Sequence, residues 1–319
     1  MLYLNTTDIQ NLGLDWWALL DKIEEACECL STDDYAQPLK PYLRFGNANN
    51  RIIAMPAYVG GKIASAGIKW IASYPQNVQN GLSRAHSNTI LNDSLSGKPV
   101  CLINDANISA IRTAAVSGLF LSKIMPIKIA PKLIVGIIGF GVVGKFHALM
   151  LQNILGTRMA ELLVYDTKMS DKLSTDLENQ YDITVCDNWQ SIIEKADIVI
   201  TCTLSQAPFI NINPKPNSVH LNISLRDYHV NVMRNFNCVV VDDWSEVCRE
   251  NTNIEHMHAS GMLSKGETLT LSDIIRGDLS KFADKTCIFN PMGMAVFDIA
   301  IAAYYYREAL KHQTGTTLS

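Results

Sequence analysis

The chain has 319 residues, of which 48% are hydrophobic and 18% are charged, and its formal net charge is −4. This length predicts about two domains, and the composition is that of a packed globular protein rather than a disordered one. No block rich in Lys and Arg interrupts the slightly acidic balance. We therefore expect neither nucleic acid nor a membrane surface as a partner.

The sequence also contains no run of about 18 uncharged apolar residues, and its first residues lack the basic start and apolar core of a signal peptide. We therefore expect a cytoplasmic protein. Eight cysteines are scattered without a Cys-x-x-Cys pair, several of them in apolar runs. This pattern predicts reduced, buried thiols rather than disulfides or a zinc site, and we expect no bound metal.

The first region has the pattern of an α+β domain. Residues 1–30 are predicted to be helical, with Asp15 or a neighbour capping a helix from residue 16 to 30. A helix from residue 106 to 125 closes the region. The strands predicted between these helices are 51–57, 66–73, 89–92 and 99–103, and residues 93–98 join the last two as a hairpin.

After Pro126 and Pro131 the sequence changes to short apolar runs that alternate with helical stretches. The runs are 133–138, 162–165, 183–185, 198–202, 219–223, 239–241 and 288–289. Short, apolar and β-branched, they are typical of parallel strands buried on both faces, which predicts a doubly wound α/β domain. A final amphipathic helix, 294–312, is expected to return to the first domain. The predicted domains are 1–128 with 291–319, and 129–290.

A Gly-x-Gly-x-x-Gly motif, Gly139 to Gly144, follows the first of these parallel strands and opens a helix. The first glycine permits a tight turn, Gly141 lets the backbone approach a pyrophosphate, and the third allows close packing of helix on strand. Asp166 lies 27 residues after Gly139 at the end of the next strand, in reach of an adenosine ribose. The motif predicts a bound dinucleotide; the alternative is a glycine turn without a ligand.

Four basic residues stand in apolar or small-residue settings: Arg44, Lys69, Arg51 and Arg112. Burial lowers the pKa of a lysine, which would make Lys69 a usable acid or base; the alternative is a lysine on the wet face of an edge strand. Arginine binds two carboxylate oxygens with its planar fork, and the alternative for each arginine is a structural ion pair.

Asp227 follows a predicted core strand, just beyond the carboxyl end at which ligands bind in open α/β sheets. A helix N-cap is the competing interpretation. His256 and His258 are spaced i, i+2 and do not share a helix face, so we interpret them as surface residues.

These residues resemble, in order and spacing, the ornithine cyclodeaminase/mu-crystallin family over essentially the whole chain. The shared points are Arg44, Lys69, Arg112 to Ala115, the Gly139–Gly144 loop, Asp166 and Asp227. The resemblance implies a homodimer built through the first domain, NAD bound in a Rossmann-type second domain, and a small-molecule amino-acid substrate.

The resemblance also implies roles for individual residues. Lys69 and Asp227 would be catalytic, the first moving protons at the reacting carbon and the second activating water. The expected substrate contacts are Arg44, Lys69, Arg112 and Met55. The expected cofactor contacts are Arg112, Thr113, Gly139, Phe140, Gly141, Val142, Val143, Gly144, Asp166, Cys202, Thr203, Ser224 and Met292.

Segments around residues 37–44, 51–56, 240–244, 290–295 and 315–318 resemble one branch of the family. That branch cleaves N-(2-amino-2-carboxyethyl)-L-glutamate oxidatively to 2,3-diaminopropionate and 2-oxoglutarate for siderophores and peptide antibiotics. Ornithine cyclodeaminases carry a glutamate near residues 51–58, whereas this chain has no acid between Asp34 and Asp93. The alternatives are an ornithine cyclodeaminase, alanine dehydrogenase or ketimine reductase, or a non-catalytic binding protein; Lys69 together with Asp227 favours chemistry.

Overall fold

The structure is a computed structural model that describes residues 1–47, 49–128, 131–169 and 182–318, and only the backbone of Lys281. The strands are β1 (Leu2–Asn5), β2 (Tyr35–Ala36), β3 (Tyr42–Leu43), β4 (Arg51–Val59), β5 (Ser65–Ser73), β6 (Ala85–Asp93), β7 (Pro99–Asn104), β8 (Leu133–Ile138), β9 (Met159–Tyr165), β10 (Thr184–Val185), β11 (Ile198–Thr201), β12 (Val219–Asn222), β13 (Cys238–Val241), β14 (Leu269–Thr270), β15 (Cys287–Asn290) and β16 (Thr316–Thr317). The helices are α1 (Thr6–Leu12), α2 (Trp16–Ser31), α3 (Asn107–Ile124), α4 (Val142–Leu155), α5 (Gln190–Lys195), α6 (Val230–Met233), α7 (Trp244–Val247), α8 (Asn253–Ala259), α9 (Leu271–Arg276) and α10 (Ala295–His312).

The chain forms two compact units, Met1–Val116 with Gly293–Ser319 and Ser117–Met292. We call them unit 1 and unit 2. The sequence places the first boundary after residue 128, at the prolines, whereas the structure places it within α3. The second half of α3 belongs to unit 2 because Ser117 hydrogen-bonds to His147 and Phe120 stacks on Phe289. Residues 129 and 130, next to the predicted boundary, lie outside the described residues.

Unit 1 is built on a sheet with the strand order β16-β1-β7-β6-β5-β4-β2, with β3 paired to β4. All pairs in it are antiparallel except β1 with β7. Helix α10 packs on β4, β5, β6 and α2, so its predicted return to the first domain is confirmed. Asp15 caps α2 by accepting a hydrogen bond from Ala18 N, as the sequence predicts. The unit is therefore α+β and is completed by the last helix.

Unit 2 contains a parallel sheet with the strand order β10-β9-β8-β11-β12-β15-β13-β14. The order reverses between β8 and β11, which is the switch point where open α/β sheets bind ligands. All seven predicted strands are present, most of them shifted by one to three residues. The predicted fold class, a Rossmann-type doubly wound domain with an α+β domain, is confirmed.

The prediction of a wholly helical start is wrong at the first few residues. Strand β1 occupies Leu2–Asn5 and pairs with β7, about a hundred positions later in the chain. The strand is short, and the capping box of Asn5 and Asp8 starts a helix directly after it. The local periodicity of the sequence therefore predicts the helix, whereas β1 forms only by pairing with a strand that is distant in the chain.

One helix of the described chain, Asn107–Ile127, is long and apolar enough to cross a membrane by length and composition alone. In its most apolar window, 78% is buried inside the protein, which is the pattern of a core helix.

Candidate functional site

The glycine-rich loop of unit 2 joins β8 to α4. Gly139 has φ +93°, and a Cβ there would lie 2.8 Å from the carbonyl carbon of Cys202. A Cβ at Gly144 would lie 2.3 Å from the oxygen of Gly139, whereas one at Gly141 would meet nothing within 4 Å. Gly141 is the N-cap of α4 and has no side chain to satisfy the first amides of the helix. The N–H groups at the start of α4 are therefore not capped by a side chain, and a helix start of this kind is suited to bind a phosphate.

Asp166, which follows β9, lies beside this loop. Its Oδ2 accepts a hydrogen bond from Phe140 N at 2.7 Å and its Oδ1 accepts from Lys168 N at 2.9 Å. Each carboxylate oxygen has a second lone pair for a ligand hydroxyl. The predicted contact between Asp166 and a ribose stays a prediction.

Asp227 lies in the loop after β12 and is completely buried. Its Oδ1 accepts from Thr203 Oγ1 at 2.7 Å, and its Oδ2 accepts from the hydroxyl of Ser224. Burial raises the pKa of Asp227, and the hydrogen bonds from these hydroxyls oppose the rise without cancelling it. The N-cap interpretation is wrong, because the next helix, α6, is preceded by His229 as its cap residue.

Other expected cofactor contacts of unit 2 lie at the same carboxyl edge of the sheet. Cys202 follows β11 and donates its backbone N–H to Ile138 O at the end of β8. Ser224 N donates to Thr201 O, and Met292 N donates to Asp242 Oδ1 at 3.0 Å. The structure thus brings Cys202, Thr203, Ser224 and Asp227 together with the glycine loop. Val142 and Val143 open helix α4.

Lys69 lies in unit 1 on β5, between β4 and β6, and is only 2% exposed. The interpretation as a solvated lysine on an edge strand is therefore wrong. Its Nζ lies 2.9 Å from Asp298 Oδ2 and donates to Ser109 Oγ at 3.2 Å. On the other oxygen of Asp298, Arg112 Nε lies at 2.8 Å. The carboxylate of α10 thus holds a cation from the sheet and another from α3.

Lys40 is a further buried cation, and its Nζ donates to Gly293 O at 2.7 Å. Gly293 has φ +86°, and a Cβ there would lie 2.6 Å from Arg112 Nη1. A glycine is therefore required where the chain enters α10. We call Lys40, Lys69, Arg112 and Asp298 the cationic cluster. Lys69 and Arg112 contact the carboxylate of Asp298, and the charge of Lys40 acts on Lys69.

The charges of the cationic cluster set the proton affinities within it. The pKa of Lys69 is lowered to about 8: burial is the main cause, Arg112 and Lys40 contribute to the lowering, and Asp298 opposes it. Burial by itself would raise the pKa of Asp298, but Arg112 and Lys69 hold that pKa below its ordinary value. Lys69 is therefore able to lose and regain a proton near neutral pH, while Asp298 stays ionised.

The remaining expected contacts of unit 1 are placed as follows. Met55 is buried on β4 in register with Lys69. Arg44 is exposed, with its guanidinium carbon 5.2 Å from the ring centroid of Tyr42. Thr113 Oγ1 donates to Ser109 O at 2.7 Å. Arg112 and Thr113 belong to unit 1, and their expected contact with the cofactor stays a prediction.

His256 and His258 are exposed on α8. Among the described residues, no group of three or more His, Cys, Asp or Glu side chains is arranged to hold a metal ion. None of the eight cysteines, all of which lie in the described residues, forms a disulfide.

Residues 4–313 match the ornithine cyclodeaminase/mu-crystallin family. The chain belongs to this family. It is 34% identical over 338 residues to the N-((2S)-2-amino-2-carboxyethyl)-L-glutamate dehydrogenase of Staphylococcus aureus (strain NCTC 8325 / PS 47), covering 100% of this chain and 98% of that protein. It is 25% identical to the alanine dehydrogenase of Archaeoglobus fulgidus, covering 94% and 92%.

The family fold is also seen in a solved structure of the Thermococcus litoralis Delta(1)-pyrroline-2-carboxylate reductase in complex with NADH and L-proline. That structure superposes with a TM-score of 0.88 at 23% identity and covers all of both chains.

The sequence alone did not indicate two members of the cationic cluster, Asp298 and Lys40. Asp298 is the single charged residue in the apolar stretch 295–303, and that isolation is a usable signal for a buried ion pair. Lys40 stands between Pro38 and Pro41 outside any periodic element, so only the fold reveals its burial.

Proposed function

We propose that the protein is an NAD-dependent dehydrogenase that cleaves N-(2-amino-2-carboxyethyl)-L-glutamate oxidatively to 2,3-diaminopropionate and 2-oxoglutarate. The observation that carries this proposal is the cationic cluster, in which two buried cations, Lys69 and Arg112, pair with one carboxylate and the charge of a third, Lys40, acts on Lys69. An excess of buried positive charge is costly unless an anion balances it. A substrate with three carboxylates supplies such an anion.

The residues of unit 2 fit NAD. Gly141 leaves open space where a side chain would stand, and the uncapped amides of α4 are available to a pyrophosphate. Asp166 stands at the strand end from which Rossmann folds contact the ribose. When bound, NAD supplies the hydride acceptor for this chemistry.

The reaction balances with NAD⁺ and one water on the substrate side and NADH and one proton on the product side. Arg112 and Lys40 bind substrate carboxylate, and Lys69 in its neutral form takes the proton from the substrate amine as its C–N bond becomes an imine. Asp227, whose pKa burial raises, takes a proton from the water that adds to the imine carbon. The C–N bond then breaks, and the proton returns to the leaving amine.

The choice of substrate within the family rests on two features of this chain. The relative from S. aureus that is named for this substrate is 34% identical over the full length. Residues 35–92 contain no Asp or Glu, so this segment offers no carboxylate for the side-chain ammonium of ornithine. We propose that the product serves a siderophore or a peptide natural product, as in the branch that the sequence resembles.

The direct test is a turnover assay. With NAD⁺ and N-(2-amino-2-carboxyethyl)-L-glutamate, we expect NADH, 2-oxoglutarate and 2,3-diaminopropionate in equal amounts, measured by absorbance and by mass spectrometry. L-Ornithine should give little NADH and no proline. Proline and ammonia from ornithine at a comparable rate would replace this function by that of a cyclodeaminase. L-Alanine is tested in the same assay, and cyclic imines, which would be reduced, are tested with NADH in place of NAD⁺.

The cofactor preference is tested separately. We expect NADH to bind more tightly than NADPH, because the carboxylate of Asp166 accepts a ribose hydroxyl and repels a 2′-phosphate. Asp166→Ala should narrow the difference, and Glu194→Ala, an exposed acid on α5, should leave it unchanged. Titration by nicotinamide fluorescence measures both affinities. Equal or tighter binding of NADPH by the unaltered protein would contradict the assignment.

A further inference from the structure

Asp227 is a completely buried acid in the loop after β12 of unit 2. Burial disfavours the ionised form of a carboxyl group, and it is the largest influence on the pKa of Asp227, which it raises. The proposed reaction needs the ionised form, because only that form takes a proton from water. Neighbouring groups must therefore offset the cost of burying this charge.

Three hydroxyl groups lie at or next to the carboxylate of Asp227. Thr203 Oγ1 donates to Asp227 Oδ1 at 2.7 Å, and Ser224 Oγ donates to Asp227 Oδ2. Thr201 Oγ1 lies 2.9 Å from Ser224 Oγ, within hydrogen-bond distance. Hydrogen bonds to an ionised acceptor are stronger than those between neutral groups, so these hydroxyls favour the ionised form of Asp227.

The parallel sheet of unit 2 brings the hydroxyls together. Strands β11 and β12 are neighbours, and Thr201, the last residue of β11, is paired with Asn222, the last residue of β12. Ser224 N donates to Thr201 O at 3.0 Å, which ties the loop after β12 to the end of β11. Asn222 Oδ1 accepts from Leu225 N at 3.1 Å and fixes the same loop. The carboxylate of Asp227 therefore lies where the ends of both strands supply hydroxyl donors.

Arg226, Cys202 and Tyr228 are titratable neighbours of Asp227. The positive charge of Arg226 lowers the pKa of Asp227, but by less than each of the three hydroxyls does. Burial and the negative charge of Asp227 raise the pKa of Cys202 and that of Tyr228 well above their ordinary values, so both groups stay neutral near neutral pH. The hydroxyls are therefore the main groups that favour the ionised carboxylate.

We propose that Thr201, Thr203 and Ser224 are positioning residues that hold the buried carboxyl group of Asp227 in its ionised form. This inference rests on the proposed function, in which ionised Asp227 takes a proton from the water that adds to the imine carbon. The three hydroxyls keep their own protons. They change the fraction of Asp227 that is ready to react and not the chemistry of the step.

The test is a titration of Asp227 in the full chain without substrate, followed by ¹³C NMR of aspartate labelled at the side-chain carboxyl. The resonance is assigned by its loss in Asp227→Asn. We expect Thr203→Val and Ser224→Ala each to raise the pKa of Asp227 by about one to two pH units, the equivalent of one lost hydrogen bond to a charged group. Thr201→Val should raise it less, because Thr201 lowers the pKa of Asp227 least of the three hydroxyls.

Three variants serve as controls for this titration. Thr201→Ser and Thr203→Ser keep the hydroxyl and should leave the pKa of Asp227 unchanged. Ser205→Ala removes a nearby hydroxyl that donates to Ala207 O instead, and it should also leave that pKa unchanged. An unchanged pKa in Thr203→Val and Ser224→Ala, or the same rise in Thr203→Ser as in Thr203→Val, would overturn the inference.

A kinetic comparison of Thr203→Val with Thr203→Ser connects the charge of Asp227 to the reaction. Both variants retain Lys69, so its titration cancels in the ratio of their kcat values. We expect kcat of Thr203→Val, relative to Thr203→Ser, to be lowest at acidic pH and to recover as the pH rises above the raised pKa of Asp227. A ratio that stays constant with pH would overturn this link to the reaction. A raised pKa without NADH release from the N-substituted glutamate would leave the effect of the hydroxyls standing and refute the proposed reaction.

Discussion

Replacing Lys69 by methionine is expected to lower kcat for NADH release by at least about a hundredfold, the usual contribution of a positioned acid or base. The side chain is buried, and its pKa of about 8 keeps a useful fraction neutral at physiological pH. Binding of NADH should be unchanged, since the glycine loop belongs to unit 2. Stopped-flow absorbance and fluorescence titration measure the two quantities.

The activity of the unaltered protein should also depend on pH as the protonation of Lys69 does. In the proposed mechanism neutral Lys69 accepts the proton, so kcat/KM for oxidation should rise with pH through an apparent pKa near 8. Lys62→Met, which removes an exposed lysine, should keep both the rate and the profile. A defect of less than tenfold in Lys69→Met would identify Lys69 as a structural residue.

The nucleotide half of the molecule was readable from the sequence because its signals are local. Gly139 is required by a close approach to Cys202 and Gly144 by its contact with Gly139, whereas Gly141 leaves open space beside the loop. Short-range sequence patterns also predict the strand before these glycines and the position of Asp166 at the end of the next strand. For the same reason Asp15 was recognised as the cap of α2.

The sequence predicts only Lys69 and Arg112 of the cationic cluster, because the members of the cluster are far apart in the chain. Lys69 and Asp298 are 229 residues apart, and they meet because α10 returns to pack on β5. The sequence predicts the helix and its return, but not which of its residues faces the sheet at that point. Lys40 is bound by the backbone oxygen of Gly293. Every residue has such an oxygen, so the sequence cannot predict this contact.

Replacing Asp298 by asparagine is expected to destabilise the protein by about 3–5 kcal/mol, the usual consequence of removing one partner from a buried ion pair. Asp298 is 5% exposed, and its two oxygens hold Lys69 and Arg112. Without it, two buried cations have lost the carboxylate that balances them. Chemical denaturation measures the loss of stability.

The control for this variant is Glu308→Gln on the same helix. Glu308 pairs with Lys311 at 3.5 Å and with His312 at 3.4 Å on the exposed side of α10. Surface pairs of this kind contribute about 0–1 kcal/mol, so Glu308→Gln should stay close to the unaltered protein. Equal losses in both variants would show that α10 is sensitive to any change of charge, and would remove the special role of Asp298.

The same asparagine substitution distinguishes a catalytic lysine from a substrate group that titrates nearby. Asp298 raises the pKa of Lys69, and Arg112 and Lys40 lower it. Without the carboxylate, the pKa of Lys69 must therefore fall below about 8, and the rise of kcat/KM with pH must move to lower pH. A substrate amine titrating in solution would not move when Asp298 is replaced. An unchanged midpoint in the folded variant would therefore assign the pH dependence to the substrate and leave Lys69 without its role as the base.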